Sequence, residues 1–324
     1  MSDILQGEGL VGLTEVEAAA RRLAGVAVRT PLLPADVISE IAGANVRLKC
    51  ESLQRAGSFK IRGAYNFVSQ LSDEQVASGI ITYSSGNHAQ AVALSGKLRG
   101  VRAVVVMPTT APKVKRDGAE RLGAEVIYEG TTSLERRAKA EEIAEEQGLV
   151  IVPPFDHRHI IAGQGTVGLE IAREWPDVDL VLAPIGGGGL ASGVAASIKR
   201  LLPAARVIGV EPVGAASMRK ALDEERPVVI KKIDTIADGL APIMAGELTY
   251  EHAFSLMDDV VTVSDDAIRE ATSLLVSKQK LIVEFSGAAA TAALLSKAVE
   301  AEGARVAVVI SGGNLDPTLL AGMA

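Results

Sequence analysis

Cysteine, aromatic side chains and basic excess are scarce in this sequence of 324 residues. Its lone cysteine, Cys50, can close no internal disulfide and leaves no thiol cluster for a metal, which points to a reducing compartment and a cytoplasmic protein. One tryptophan, four tyrosines and five phenylalanines are all its aromatics, so the core must be built from Ala, Val, Ile and Leu. Forty acidic against thirty-three basic residues give a net charge of −7. A duplex-binding face needs basic charge to displace counterions, so nucleic acid is excluded as the main partner. The opening MSDILQGEGL has neither the basic nor the apolar region of a secretory signal. The longest uncharged run, 180–198, nears the length of a membrane span, but Pro184 and four consecutive glycines would break a helix there. It reads as a buried strand, a loop and a helix, with no membrane involved.

What is present is an alternation of short β-branched runs with helical stretches. Strands are expected at 46–49, 80–84, 101–107, 125–128, 149–152, 179–183, 206–210, 260–263 and 305–310. Several are continuously apolar, the pattern of strands covered on both faces. Thr14 with Glu17, Ser72 with Gln75 and Thr132 with Glu135 fit capping boxes, and Ser264 can cap a helix from Asp265. The charged stretch 135–146 reads as a solvated helix. Such alternation implies an α/β protein with mostly parallel, open twisted sheets flanked by helices. Residues 80–154 form one regular unit of four strands and three helices, and a second strand series begins near 179. The boundary near 155 rests on Pro153–Pro154.

Three glycine loops follow apolar strands: Ser84-Ser85-Gly86-Asn87-His88, Gly186-Gly187-Gly188-Gly189 and Ser311-Gly312-Gly313-Asn314. Ligands sit at strand carboxyl ends in open α/β sheets. The four glycines, followed by a helix from Leu190, suit a phosphate, because backbone N–H groups can wrap an anion where no Cβ intervenes. A permissive tight turn is the alternative. No G-x-x-x-x-G-K-[ST] occurs, and Gly163–Gly168 matches G-x-G-x-x-G without following a strand directly or having the acidic partner of a dinucleotide site. In Gly57-Ser58-Phe59-Lys60-Ile61-Arg62-Gly63-Ala64, Ser58 could cap a helix and Lys60 lies between apolar neighbours. A lysine in an apolar anion-binding cleft can act as an amine nucleophile; a surface lysine in a first helical turn is the other reading.

Together, G-S-F-K-I-R-G-A, S-S-G-N-H, G-G-G-G-L and S-G-G-N, in that order, resemble the serine/threonine dehydratase and serine racemase family of fold-type II pyridoxal-phosphate enzymes. Arg29-Thr30-Pro31-Leu32, Ala162–Thr166 and Ala237-Asp238-Gly239 extend the resemblance over residues 14–316. It also makes the G-x-G-x-x-G part of a structural helix start. The resemblance implies a tryptophan-synthase-β-like fold, with residues 1–70 and 156–324 as the large domain and 71–155 as a small mobile one. It implies pyridoxal 5′-phosphate carried by Lys60 beside Phe59, its phosphate on Gly186, Gly187, Gly188, Gly189 and Leu190, its ring hydroxyl on Asn87 and its ring nitrogen facing Ser311. The loop Ser84, Ser85, Gly86, Asn87, His88 would hold the substrate carboxylate, and Ser85 would exchange a proton on the face opposite Lys60. The implied reaction is β-elimination from L-threonine or L-serine to a 2-oxo acid and ammonia, with serine racemase or 3-hydroxyaspartate dehydratase as the alternative.

Metal-using relatives set a glutamate, a carbonyl and an aspartate around a divalent cation; here Glu211 and Ala215 match, but Ser217 stands third. A magnesium or calcium ion would therefore meet less ligand charge. Phe285, in Glu284-Phe285-Ser286-Gly287, would reshape substrate choice if it lines the pocket. His157, His159 and His252 lack metal-ligand spacing and read as structural, and Cys50 as a small buried apolar residue. A homodimer is expected by resemblance. So few residues follow the last glycine loop that no appended regulatory domain is expected.

Overall fold

The computed structural model describes residues 9–320 apart from Ser85 and Pro112, and excluding the side chains of 113–115 and 320. Ten strands form two sheets: β1 (Leu32–Pro34), β2 (Asn45–Cys50), β3 (Ile80–Tyr83), β4 (Ala103–Met107), β5 (Glu125–Tyr128), β6 (Val150–Ile151), β7 (Leu180–Pro184), β8 (Arg206–Pro212), β9 (Asp259–Val263) and β10 (Arg305–Ile310). The larger sheet runs β1-β2-β10-β7-β8-β9, parallel except where β1 pairs antiparallel with β2. The smaller runs β5-β4-β3-β6, all parallel. All nine expected strands are present. Continuous apolar runs mark the covered ones: every residue of β4 and β7 is buried. β1 is additional. Three residues ending in proline carry no periodicity, and a sheet edge is where proline is tolerated.

Ser72, Thr132 and Ser264 cap their helices as expected, each hydroxyl accepting the N–H three residues on. The first helix differs. It runs Leu13–Arg22, and Glu15, not Glu17, reaches back to the N–H of Gly12. Helix Ser133–Gln147 is mostly solvated, but Arg136, Ala140 and Ile143 turn inward.

The G-x-G-x-x-G lies in the interior of helix Arg158–Glu174, not at its start. Its glycines are packing surfaces. A Cβ on Gly163 would strike the Arg62 carbonyl of helix Lys60–Val68, and one on Gly168 would come within 2.8 Å of the Val194 carbonyl of helix Gly189–Leu201. Glycine thus lets three helices approach backbone to backbone. Among the described residues no helix is long and apolar enough to cross a membrane.

Candidate active site

The carboxyl ends of β3, β7 and β10 open onto one cleft of about 280 Å³, and the first turn of helix Lys60–Val68 joins them. Backbone pairing draws these distant segments together. The Phe59 N–H donates to the Ser311 carbonyl at 3.1 Å, and the Gly313 N–H to the Gly57 carbonyl at 2.8 Å. That pairing displaces the expected cap: Ser58 is extended, Phe59 takes the N-cap position, and the buried Ser58 Oγ has no hydrogen-bond partner among the described residues.

Lys60 Nζ donates to the Pro154 carbonyl at 2.8 Å and lies 5.2 Å from the centre of the Phe59 ring. Burial disfavours its charged form and lowers its pKa to about 8, with the Glu284 carboxylate pulling the other way. A lysine whose pKa is lowered toward neutrality gives up its proton more readily, as nucleophilic or base chemistry needs.

Across the cleft, the turn Gly186–Gly189 leads into helix Gly189–Leu201, whose first N–H groups have no carbonyl within the helix. Gly188 has φ +95°, and a Cβ there would lie 2.7 Å from Thr249 Cβ. A Cβ on Gly187 would enter the Phe155 ring. Side chains are therefore excluded where the anion cradle needs bare backbone, and Leu190 anchors the turn in the core. The residues present fit a phosphate-bearing group.

Of the loop expected to hold substrate, Ser84, Gly86, Asn87 and His88 line the cleft; Ser85 lies outside the described residues. Ser84 Oγ accepts from the Gly86 N–H at 3.3 Å. His88 is buried with Nε2 3.1 Å from the Val152 carbonyl. A carbonyl only accepts, so Nε2 carries the proton. Burial, with the Lys60 charge adding to it, lowers the ring's pKa to about 3. His88 is thus neutral. Ser311 also lines the cleft.

Asn87 Nδ2 donates to Glu284 Oε1 at 2.5 Å, and Asn87 Oδ1 accepts from Asn314 Nδ2 at 2.8 Å. Sequence reasoning missed that carboxylate and singled out its neighbour instead. Phe285 packs against the core of the large sheet, with the Arg269 guanidinium 6.0 Å from its ring centre, while Glu284 and Ser286 face the cleft. Phe155 and Arg136 are further wall residues missed. The Arg136 side chain is buried, with Nε unpartnered among the described residues, and burial lowers its pKa against the pull of Glu135.

A scan against protein-family models matches residues 23–312 to the family described as pyridoxal-phosphate dependent enzyme. The chain belongs to that family. Among its relatives, this pyridoxal-phosphate-dependent enzyme is 42% identical to an L-threonine ammonia-lyase of Thermotoga maritima, over 96% of this chain and 77% of that one. It is 41% identical to a catabolic L-threonine dehydratase of Staphylococcus aureus, over 98% and 93%. Its fold matches that of maize serine racemase with a TM-score of 0.93 at 37% identity, covering 96% of each chain.

The cation set fits poorly. Glu211 is buried, and its two oxygens accept the N–H groups of Met218 and Arg219, each at 2.8 Å. Burial raises its pKa to about 7 although those N–H groups oppose it. Ala215 and Ser217 are also buried, and Ser217 Oγ has no hydrogen-bond partner among the described residues. A hard cation needs more oxygen charge than one carboxylate committed to backbone donors, a carbonyl and a hydroxyl. Among the described residues no group of three or more His, Cys, Asp or Glu side chains is assembled for a metal.

The other histidines have structural partners. His252 Nε2 accepts from the Val11 N–H at 2.8 Å, and His157 Nδ1 accepts from the His159 N–H at 3.0 Å. Cys50 is buried, and burial pushes its thiol up to about 12.

Proposed function

We propose that this chain is an ammonia-lyase that eliminates the β-hydroxyl of L-threonine or L-serine to yield a 2-oxo acid and ammonia. One observation carries the reading: a lysine amine brought to near-neutral pKa shares a cleft with a side-chain-free anion cradle. The names of relatives that are about 41% identical over nearly the whole chain agree with it. When bound, pyridoxal phosphate supplies an electron sink for charge developing at the substrate Cα.

The residues divide the work. Lys60 would hold the cofactor through its aldehyde, and its Nζ, when free as an amine, would take the Cα proton of the substrate. Gly186–Leu190 would hold the phosphate through N–H groups, with Phe59 toward the ring, Asn87 toward its hydroxyl and Ser311 toward its nitrogen. A hydroxyl there would not hold the nitrogen protonated as a carboxylate would, so the electron sink supplied would be a weaker one. The substrate carboxylate rests on the 84–88 loop. His88 is neutral and brings no charge to that carboxylate, whereas the guanidinium groups of Arg136 and Arg137 line the same cleft.

A visible absorption spectrum and a 2-oxo-acid assay test this reading. The expected result is a yellow protein, bleached by borohydride with the adduct mapped to Lys60, and inactive as Lys60→Ala. Assay of both enantiomers of threonine, serine and 3-hydroxyaspartate ranks the substrates, and Ser85→Ala shows whether action on D-serine depends on that hydroxyl. A colourless protein that cannot be reconstituted rejects the proposal.

A further inference from the structure

We propose that Glu284 is a positioning residue for this reaction, fixing the orientation of the Asn87 amide and placing negative charge beside the Lys60 amine. The inference rests on the functional reading of the cleft given above. Glu284 ends the loop before helix Phe285–Leu295 and is only 4% exposed, at the cleft wall. Burying a carboxylate is costly unless donors compensate it. One donor is Asn87 Nδ2, 197 residues away in sequence.

The chemistry of the partners settles which way the amide points. A carboxylate accepts and cannot donate, so the Asn87 end facing Glu284 is Nδ2. The other end is fixed independently, because Asn314 Nδ2 donates to Asn87 Oδ1 at 2.8 Å and to the Ala56 carbonyl at 2.9 Å. Nδ2 keeps a second proton on a side chain that lines the cleft, where an anionic oxygen of a bound group can accept it. With Glu284 neutral or absent, the Asn314 donor alone would hold the amide, and any flip would present its oxygen to that group and repel it. Gly312 is the enabling residue. A Cβ there would collide with Glu284 Oε1 and come within 3.2 Å of Asn87 Nδ2. The same carboxylate favours the charged form of Lys60, opposing burial.

Glu284→Gln keeps the size and an accepting oxygen but not the charge; Glu284→Ala removes both. On the full-length chain loaded with pyridoxal phosphate, Glu284→Gln should move the acidic limb of the kcat profile down by about one pH unit. In the same variant kcat should fall roughly tenfold with KM held within about twofold, the pattern of an interaction that acts on the chemical step. A second readout needs no cofactor. The pH midpoint for labelling of Lys60 by a small amine-reactive reagent, followed by mass spectrometry, should fall in both variants. Profiles matching the wild type in both assays overturn the proposal. Loss of a cooperative unfolding transition in both variants also overturns it, because Glu284 would then be structural. A wild-type chain that takes up no cofactor at Lys60 would instead sink the functional reading, while the labelling midpoints still decide the role of Glu284.

Discussion

His88 lines the same cleft as Lys60, but burial and the nearby Lys60 charge keep its ring neutral. The folded pKa of about 3 lies below that of an ordinary histidine, so protonation favours the unfolded chain as pH falls. Stability from this group is complete above about pH 6.5 and declines by roughly 1.4 kcal/mol per pH unit down toward the folded value. His88→Gln should therefore flatten the pH dependence of the urea midpoint between about pH 6.5 and pH 4, and parallel curves for variant and wild type would contradict this origin. At this scale the sequence discloses residue types better than contacts. Lys60, Asn87 and the bare glycines are readable because each follows a strand or opens a helix. Glu284 is not readable, since its role depends on a loop almost two hundred residues away, and Phe285 beside it draws notice by size while turning into the core. Ser58 fails as a cap for a similar reason, since its backbone is claimed by the loop at Gly312.

Helix Lys60–Val68 is held by what lies beneath its motif. Arg62, 1% exposed, pairs with Glu51 at 2.8 Å and with Glu170 at 2.7 Å, and Lys49 joins Glu170 at 2.7 Å. Burial alone would raise the Glu51 pKa, yet the charge and hydrogen bonds of Arg62, with Thr30 and Lys49, hold it below the ordinary range. Arg62→Ala strands Glu51 in the interior, while Glu170 keeps Lys49, and should cost about 3–5 kcal/mol in urea unfolding, where a loss below about 1 kcal/mol would show the network to be dispensable. Gly163→Ala acts on the same element from the other side. Its Cβ would press on the Arg62 carbonyl, and the overpacking should cost about 1–3 kcal/mol and weaken cofactor retention by shifting the turn that carries Lys60. Cofactor release during dialysis checks this, and retention like that of the wild type would show that the helices can part without moving Lys60. Element types were legible because covered strands read as apolar runs and caps have local signatures. The glycine motif was ambiguous because a nucleotide turn and a close helix crossing ask for the same residue.

Alternation of strand and helix discloses two parallel sheets, but not their strand order. β10, last in sequence, lies between β2 and β7, and that placement brings the Ser311 loop against Lys60. The cleft between the sheets has apolar lips that stay in water: Leu134, from the side of the small sheet, is 60% exposed, and Val229, from the large, 56%. If residues 71–155 move as a unit onto a bound substrate, both side chains leave water only in the closed form. Full burial of such a side chain is worth about 1.5–3 kcal/mol, so gaining roughly half of that would favour closure by about 1 kcal/mol for each. Leu134→Ser and Val229→Ser should then each lower kcat/KM about fivefold while leaving the melting temperature unchanged, because neither side chain is buried in the open form. A double variant that loses less than the two singles combined would show that the two lips meet. Unchanged kcat/KM in both single variants would mean that the lips stay apart through turnover and that the smaller sheet does not close over the substrate at this edge.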